Sequence, residues 1–118
     1  MERQLSKSIG ADPAPAPVAN VRIECVGVNP LDRRRVDVAV DLAPCRQPVT
    51  VEMAIVGPEG EEVSSITVVE NRERALDRIM HLRHDARAGE YILHVGIFFE
   101  GQLVHRTARH FAFPPEAT

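Results

Sequence analysis

Tryptophan is missing from this chain of 118 residues, and aromatic residues are scarce altogether, with one tyrosine and four phenylalanines. A surface that stacks sugar rings usually draws on several exposed aromatics, so their scarcity counts against a carbohydrate-binding role. Cysteine is rarer still. Cys25 and Cys45 have no Cys-x-x-Cys spacing around them, which argues against a zinc knuckle or a redox pair. No stretch approaches the run of about 18 to 20 apolar residues that a membrane span needs. The opening segment MERQLSKSIGADPAPAPVAN lacks an apolar core of about 7 to 15 residues and does not read as a secretory signal. A cytoplasmic location with reduced thiols is the expectation.

Catalytic patterns are missing as well. There is no Gly-x-Ser-x-Gly, no phosphate-binding glycine loop and no His-Glu-x-x-His. Ser64 and Ser65 have no histidine near them in sequence. Cys25, followed by Val26 and Gly27, lacks the basic neighbours that make a thiol reactive. Glu61 and Glu62 sit beside a turn and read as solubilising. The chain is expected to be no enzyme and to carry no cofactor. A net charge of −3 offers no general attraction to nucleic acid or to an anionic membrane, so neither is an expected partner. The triplet Arg33-Arg34-Arg35, between Asp32 and Asp37, reads as a solvated turn.

What the chain does contain is alternation. At 44% apolar and 26% charged residues it is in the globular range, with length for one domain. Residues 1–19 read as a flexible arm, because Pro13, Pro15 and Pro17 favour an extended backbone. Residues 20–115 read as the domain and 116–118 as a tail. Val21, Ile23 and Cys25 alternate with Arg22 and Glu24, up to a turn signal at Asn29-Pro30. Val36, Val38, Val40 and Leu42 alternate with mostly charged residues, which is the pattern of a half-buried strand. Val49, Val51, Met53 and Ile55 form a third run, closed by Gly57-Pro58-Glu59-Gly60, and residues 61–70 are strand-like in return. Residues 70–83 suit a helix by propensity, through Leu76, Ile79 and Met80. The all-strand surroundings favour a strand carrying Leu76, Met80 and Leu82 on one face, and strand is the expectation.

The last two runs form a hairpin. Tyr91, Leu93, Val95, Ile97 and Phe99 share a face, Glu100-Gly101-Gln102 supplies the turn, and Leu103 to Phe113 returns to Pro114-Pro115. A three-residue loop would place His94 opposite Ala108, and a register slipped by one would place it opposite Thr107. Seven strands with regular turns predict an all-β, antiparallel sandwich.

Within this pattern LRHDARAGEYILHV, residues 82–95, resembles the corner between the fifth and sixth strands of immunoglobulin-like and fibronectin type III-like domains. The resemblance implies that Gly89 lets the chain turn and that Tyr91 opens the sixth strand. Its hydroxyl would then bond the preceding loop. The chain departs from that superfamily in lacking a core tryptophan, a volume that Met53 or Val51 could fill.

Candidate functional residues lie on the sheet face opposite the core. Ala54, Val56, Ile92 and Phe98 are apolar where a solvated antiparallel sheet alternates to polar groups, and Gly96 leaves room among them. With His94 they predict a surface for a protein partner or a second copy of the chain, and so a non-catalytic interaction or scaffolding module. One alternative is a carbohydrate- or small-ligand-binding sandwich. Another is a metal site built from His94, His110 and Glu52, which the diagonal spacing of adjacent strands makes conceivable. Cys25 and Cys45 are expected to be unbonded, because a hairpin turning near residues 30–33 places Cys25 opposite residue 37 or 38. Thirteen of the fourteen basic residues are arginine, a composition that points to a GC-rich prokaryotic source.

Overall fold

The computed structural model describes residues 21–115, so the expected arm and tail lie outside the described residues. Each alternating run forms a strand. In chain order these are β1 (Ile23–Pro30), β2 (Arg35–Leu42), β3 (Val49–Val56) and β4 (Glu62–Asn71), then β5 (Ala75–His81), β6 (Gly89–Phe99) and β7 (Gln102–Phe113). One sheet has the order β1-β2-β5 and the other β4-β3-β6-β7, and every pairing is antiparallel. The fold is the expected all-β, seven-stranded antiparallel sandwich.

The core lies between the inward faces of the two sheets. Val36, Val38 and Val40 of β2 face Val51, Met53 and Ile55 of β3 and Leu93, Val95 and Ile97 of β6, all at most 1% exposed. Burying one such side chain contributes on the order of 1.5–3 kcal/mol. Two methionines, Met53 and Met80, occupy this layer without a tryptophan. Their flexible thioethers suit the irregular space between twisted sheets. At one end, Tyr91 packs against Phe111 and Phe113, with ring centroids 5.7 and 5.0 Å away.

The segment 70–83 holds the end of β4, a short connection and β5, and no helix. Leu76, Met80 and Leu82 are buried, whereas Ile79, which a helical stripe would bury, is 45% exposed. β4 stays with β3, and β5 crosses to the other sheet. The pairing of β3 with β4 shifts by one between Val49–Asn71 and Val51–Val68, and Glu70 there has a φ of 49°. The irregularity ends the ladder just before the crossover.

Two expectations about the first strands need correction. The alternation of Val21, Ile23 and Cys25 is broken by a bulge between Ile23 and Cys25, which turns Cys25 outward and Val26 inward. The β1–β2 hairpin also closes later than expected, pairing Pro30 with Val36 and Cys25 with Asp41, not with residue 37 or 38. Both cysteines are free thiols.

Arg33 differs from the solvated residue expected. Its guanidinium donates to the Ala86 carbonyl from Nε (3.1 Å) and from a terminal nitrogen (2.8 Å), and to the Pro114 carbonyl (2.8 Å). It also lies over the Phe113 ring, 5.5 Å from its centroid. One planar fork thus joins the β1–β2 loop, the β5–β6 loop and the end of β7.

Candidate functional site

The turn before the candidate face is held by its tyrosine. Tyr91 is 1% exposed. Its hydroxyl accepts from the Arg87 backbone N–H (3.0 Å) and donates to the Arg87 carbonyl (3.2 Å). Gly89 has a φ of 140°, and a Cβ there would lie 3.0 Å from the Pro58 side chain, so glycine suits the position on both counts. From this corner β6 runs straight through the centre of the four-stranded sheet.

The β6–β7 register places His94 opposite Ala108, as a three-residue loop would. The route differs. The turn has only two residues, Glu100 and Gly101, both with positive φ, as a primed hairpin turn requires. A bulge follows, because Phe98 pairs with Leu103 but Ile97 pairs with His105. The extra residue restores the pairing seen at His94 and leaves Leu103 beside Phe98.

On the outer face the residues fall into rows across the strands. Glu52 of β3, Gly96 of β6 and Arg106 of β7 form one row. Ala54, His94 and Ala108 form the next, and Val56, Ile92 and His110 the one beyond. Gly96 has no side chain and Ala54 in the neighbouring row is small, so the face sinks into a groove of about 270 Å³. Phe98 and Leu103 form one wall. A Cβ added at Gly96 would lie 3.2 Å from the Phe98 ring and 3.3 Å from the Leu103 methyl, so both side chains lean over the bare backbone. Glu52, His94 and Arg106 bring a carboxylate, an imidazole and a guanidinium to the other sides, all exposed. Among the described residues none of the three makes a side-chain hydrogen bond or ion pair.

The face thus gathers Ala54, His94 and Phe98 in one groove and leaves Val56 and Ile92 beside it, half-buried. His110 lies across from Ile92, one row from His94 and two from Glu52. Among the described residues no three His, Cys, Asp or Glu side chains are placed to hold a metal ion, so the candidate set of His94, His110 and Glu52 is not assembled. Arg106, Leu103, Val95 and Thr107 also line the groove and were not singled out as site residues by sequence. The available signal was Gly96, because a glycine inside a strand often marks a close approach.

No protein-family model matches the chain, and no curated protein matches it in sequence. Solved structures do share its fold. A Bifidobacterium dentium β-glucuronidase complexed with coumarin-3-O-glucuronide superposes with a TM-score of 0.61 at 16% identity, over 80% of this chain and 18% of that one. A Ruminococcus gnavus β-glucuronidase gives 0.57 at 14% identity, over 79% and 16%. A glycosyl hydrolase family 2 member from Bacteroides cellulosilyticus gives 0.58 at 12% identity, over 78% and 15%. At these identities the likeness is one of fold, and this chain spans less than a fifth of each of those proteins.

The expected role as a self-associating or scaffolding module is overturned. The solved chains named above are β-glucuronidases and a glycosyl hydrolase, and none of the three is named as a protein scaffold. The face itself gives the physical reason. Ala54 and Phe98 are half-buried, Leu103 is exposed, and they border a groove that has charged groups on its other sides, rather than forming a flat apolar patch. Among the described residues no helix is long and apolar enough to cross a membrane.

Proposed function

We propose that this chain is a carbohydrate- or small-ligand-binding β-sandwich without catalysis of its own, and that the Gly96 groove is its site. The single observation that carries the reading is the groove's composition, an aromatic ring leaning over bare backbone with unpartnered hydrogen-bonding groups beside it. A sugar ring presents an apolar face and a rim of hydroxyls, and such a site offers Phe98 to the first and Glu52, His94 and Arg106 to the second. The β-glucuronidase and glycosyl hydrolase names of the structures that share the fold support the same ligand class. The scarcity of aromatics weighs less than composition suggests, because a groove with a ready floor needs only one ring.

The finer assignment to the immunoglobulin-like or fibronectin type III-like superfamily is part of this proposal. The 3+4 strand order and the Tyr91 corner support it. Two free thiols support a reducing compartment such as the cytoplasm. The negative net charge supports a ligand other than nucleic acid or membrane.

Nuclear magnetic resonance titration of the ¹⁵N-labelled chain with neutral mono- and oligosaccharides tests the sugar-binding reading. Binding should move the amides of residues 52–54, 94–98 and 103–107 while the rest of the spectrum stays in place. Phe98→Ala should weaken it by about three- to tenfold, the usual scale of one aromatic contact. Shifts absent from the groove, or unaffected by Phe98→Ala, would remove this site from consideration.

A further inference from the structure

Glu52 and Arg106 carry opposite charges on strands that flank the same glycine, yet they form no ion pair. Strands lie about 4.8 Å apart, so the two backbones are about 10 Å from each other across β6. Phe98 and Leu103 lean into that gap above Gly96, so a pyranose ring between the two charges would rest on the Phe98 ring. The site is therefore polarised, with an acceptor on the β3 side and a fixed cation on the β7 side. His94, one row along, adds a further ring nitrogen on the same side of Phe98 as Gly96.

From this polarity we propose that the groove selects a sugar acid of the hexuronate class. The carboxylate lies on Arg106, the hydroxyls at the far side of the ring donate to Glu52, and the apolar ring face rests on Phe98. The inference rests on the sugar-binding reading above and adds the charge and direction of the ligand. Arg106 suits the role because its planar fork matches a carboxylate with two parallel hydrogen bonds, and no protein group competes for it among the described residues. Glu52 disfavours a second anionic group at the opposite end, so a singly charged ring fits better than a dianion.

D-glucuronate and D-glucose differ only at C6, carboxylate against hydroxymethyl, and together with acetate they separate the possibilities. The full chain is titrated with each at pH 7 and low salt, following the same groove amides. Glucuronate should bind about tenfold or more tightly than glucose, the scale of one charge-assisted pair, and acetate should not displace it. Arg106→Gln should remove the preference, so that the variant binds glucuronate and glucose within about twofold of each other, because the charge-assisted pair to the carboxylate is lost. Equal binding of glucose and glucuronate overturns the acid preference and leaves the sugar site standing. Binding of neither overturns both. Acetate competing as well as glucuronate overturns recognition of the ring, because a bare carboxylate then suffices.

Discussion

Replacing Tyr91 with phenylalanine removes a single oxygen from the corner between β5 and β6. That oxygen accepts from the Arg87 N–H at 3.0 Å and donates to the Arg87 carbonyl at 3.2 Å. The ring itself should stay, since its packing on Phe111 and Phe113 does not involve the hydroxyl. Each hydrogen bond contributes about 0.5–1.5 kcal/mol net. The Arg87 backbone lies in a loop whose side chain is exposed, so water can reclaim part of the loss. A destabilisation of about 1–2 kcal/mol follows, in a domain where 1 kcal/mol lowers Tm by about 4–8 °C. Urea unfolding followed by circular dichroism should show a lower midpoint at an unchanged slope, meaning that the same surface is exposed. An unchanged midpoint would show that the hydroxyl bonds to Arg87 add nothing that solvent does not supply. A lower slope would point instead to a change in the ends of the transition, and the hydrogen-bond account would then be unsupported.

Other substitutions test other parts of the fold and the groove. Arg33→Lys should lower the midpoint by about 1–2 kcal/mol, because an ammonium cannot make the fork's three bonds to Ala86 and Pro114, and Lys matching wild type would refute this. The carboxyl of Asp37 is held above its ordinary range, first by the hydrogen bond its protonated form donates to the Asp77 carboxylate, then by desolvation and the Asp77 charge. A raised carboxyl favours the native state while it holds its proton, and that contribution is lost as pH rises through the raised value. Asp77→Asn should therefore gain stability relative to wild type between about pH 4 and pH 7, and a pH-independent difference would sink the pairing. Glu61 behaves oppositely, held low by backbone N–H groups of its turn and by Arg87. The stability Glu61 adds is present above the ordinary carboxylate range and fades as pH falls through the lowered value, so Glu61→Gln should cost more at pH 7 than at pH 3, measured by thermal melts. Gly96→Val should abolish sugar shifts by filling the groove floor while circular dichroism stays native, because the contacts it crowds are the movable ends of Phe98 and Leu103.

Period-two alternation alone is enough to locate the core. Val36, Val38 and Val40, like Tyr91, Leu93, Val95 and Ile97, are buried because successive residues of a pleated strand point to opposite faces, so one face is decided locally. The corner at Gly89 and Tyr91 is legible for a similar reason, since its hydroxyl reaches only four residues back along the chain. Four features depend on contacts made across the fold. Cys25 turns outward because a bulge is an event between two strands and leaves no mark on one of them. β5 leaves β4 for β2, a choice between partners that their own sequences do not encode. Arg33 becomes a tie because Ala86 and Pro114, more than fifty residues away, offer carbonyls to one fork. The groove requires Glu52, Gly96 and Arg106 to meet, and they come from three strands. Alternation sets the face on which each of them points. Only the register of β3 and β7 against β6 puts the carboxylate and the guanidinium on either side of the same glycine, because register is fixed by long-range pairing and by the bulge at the turn.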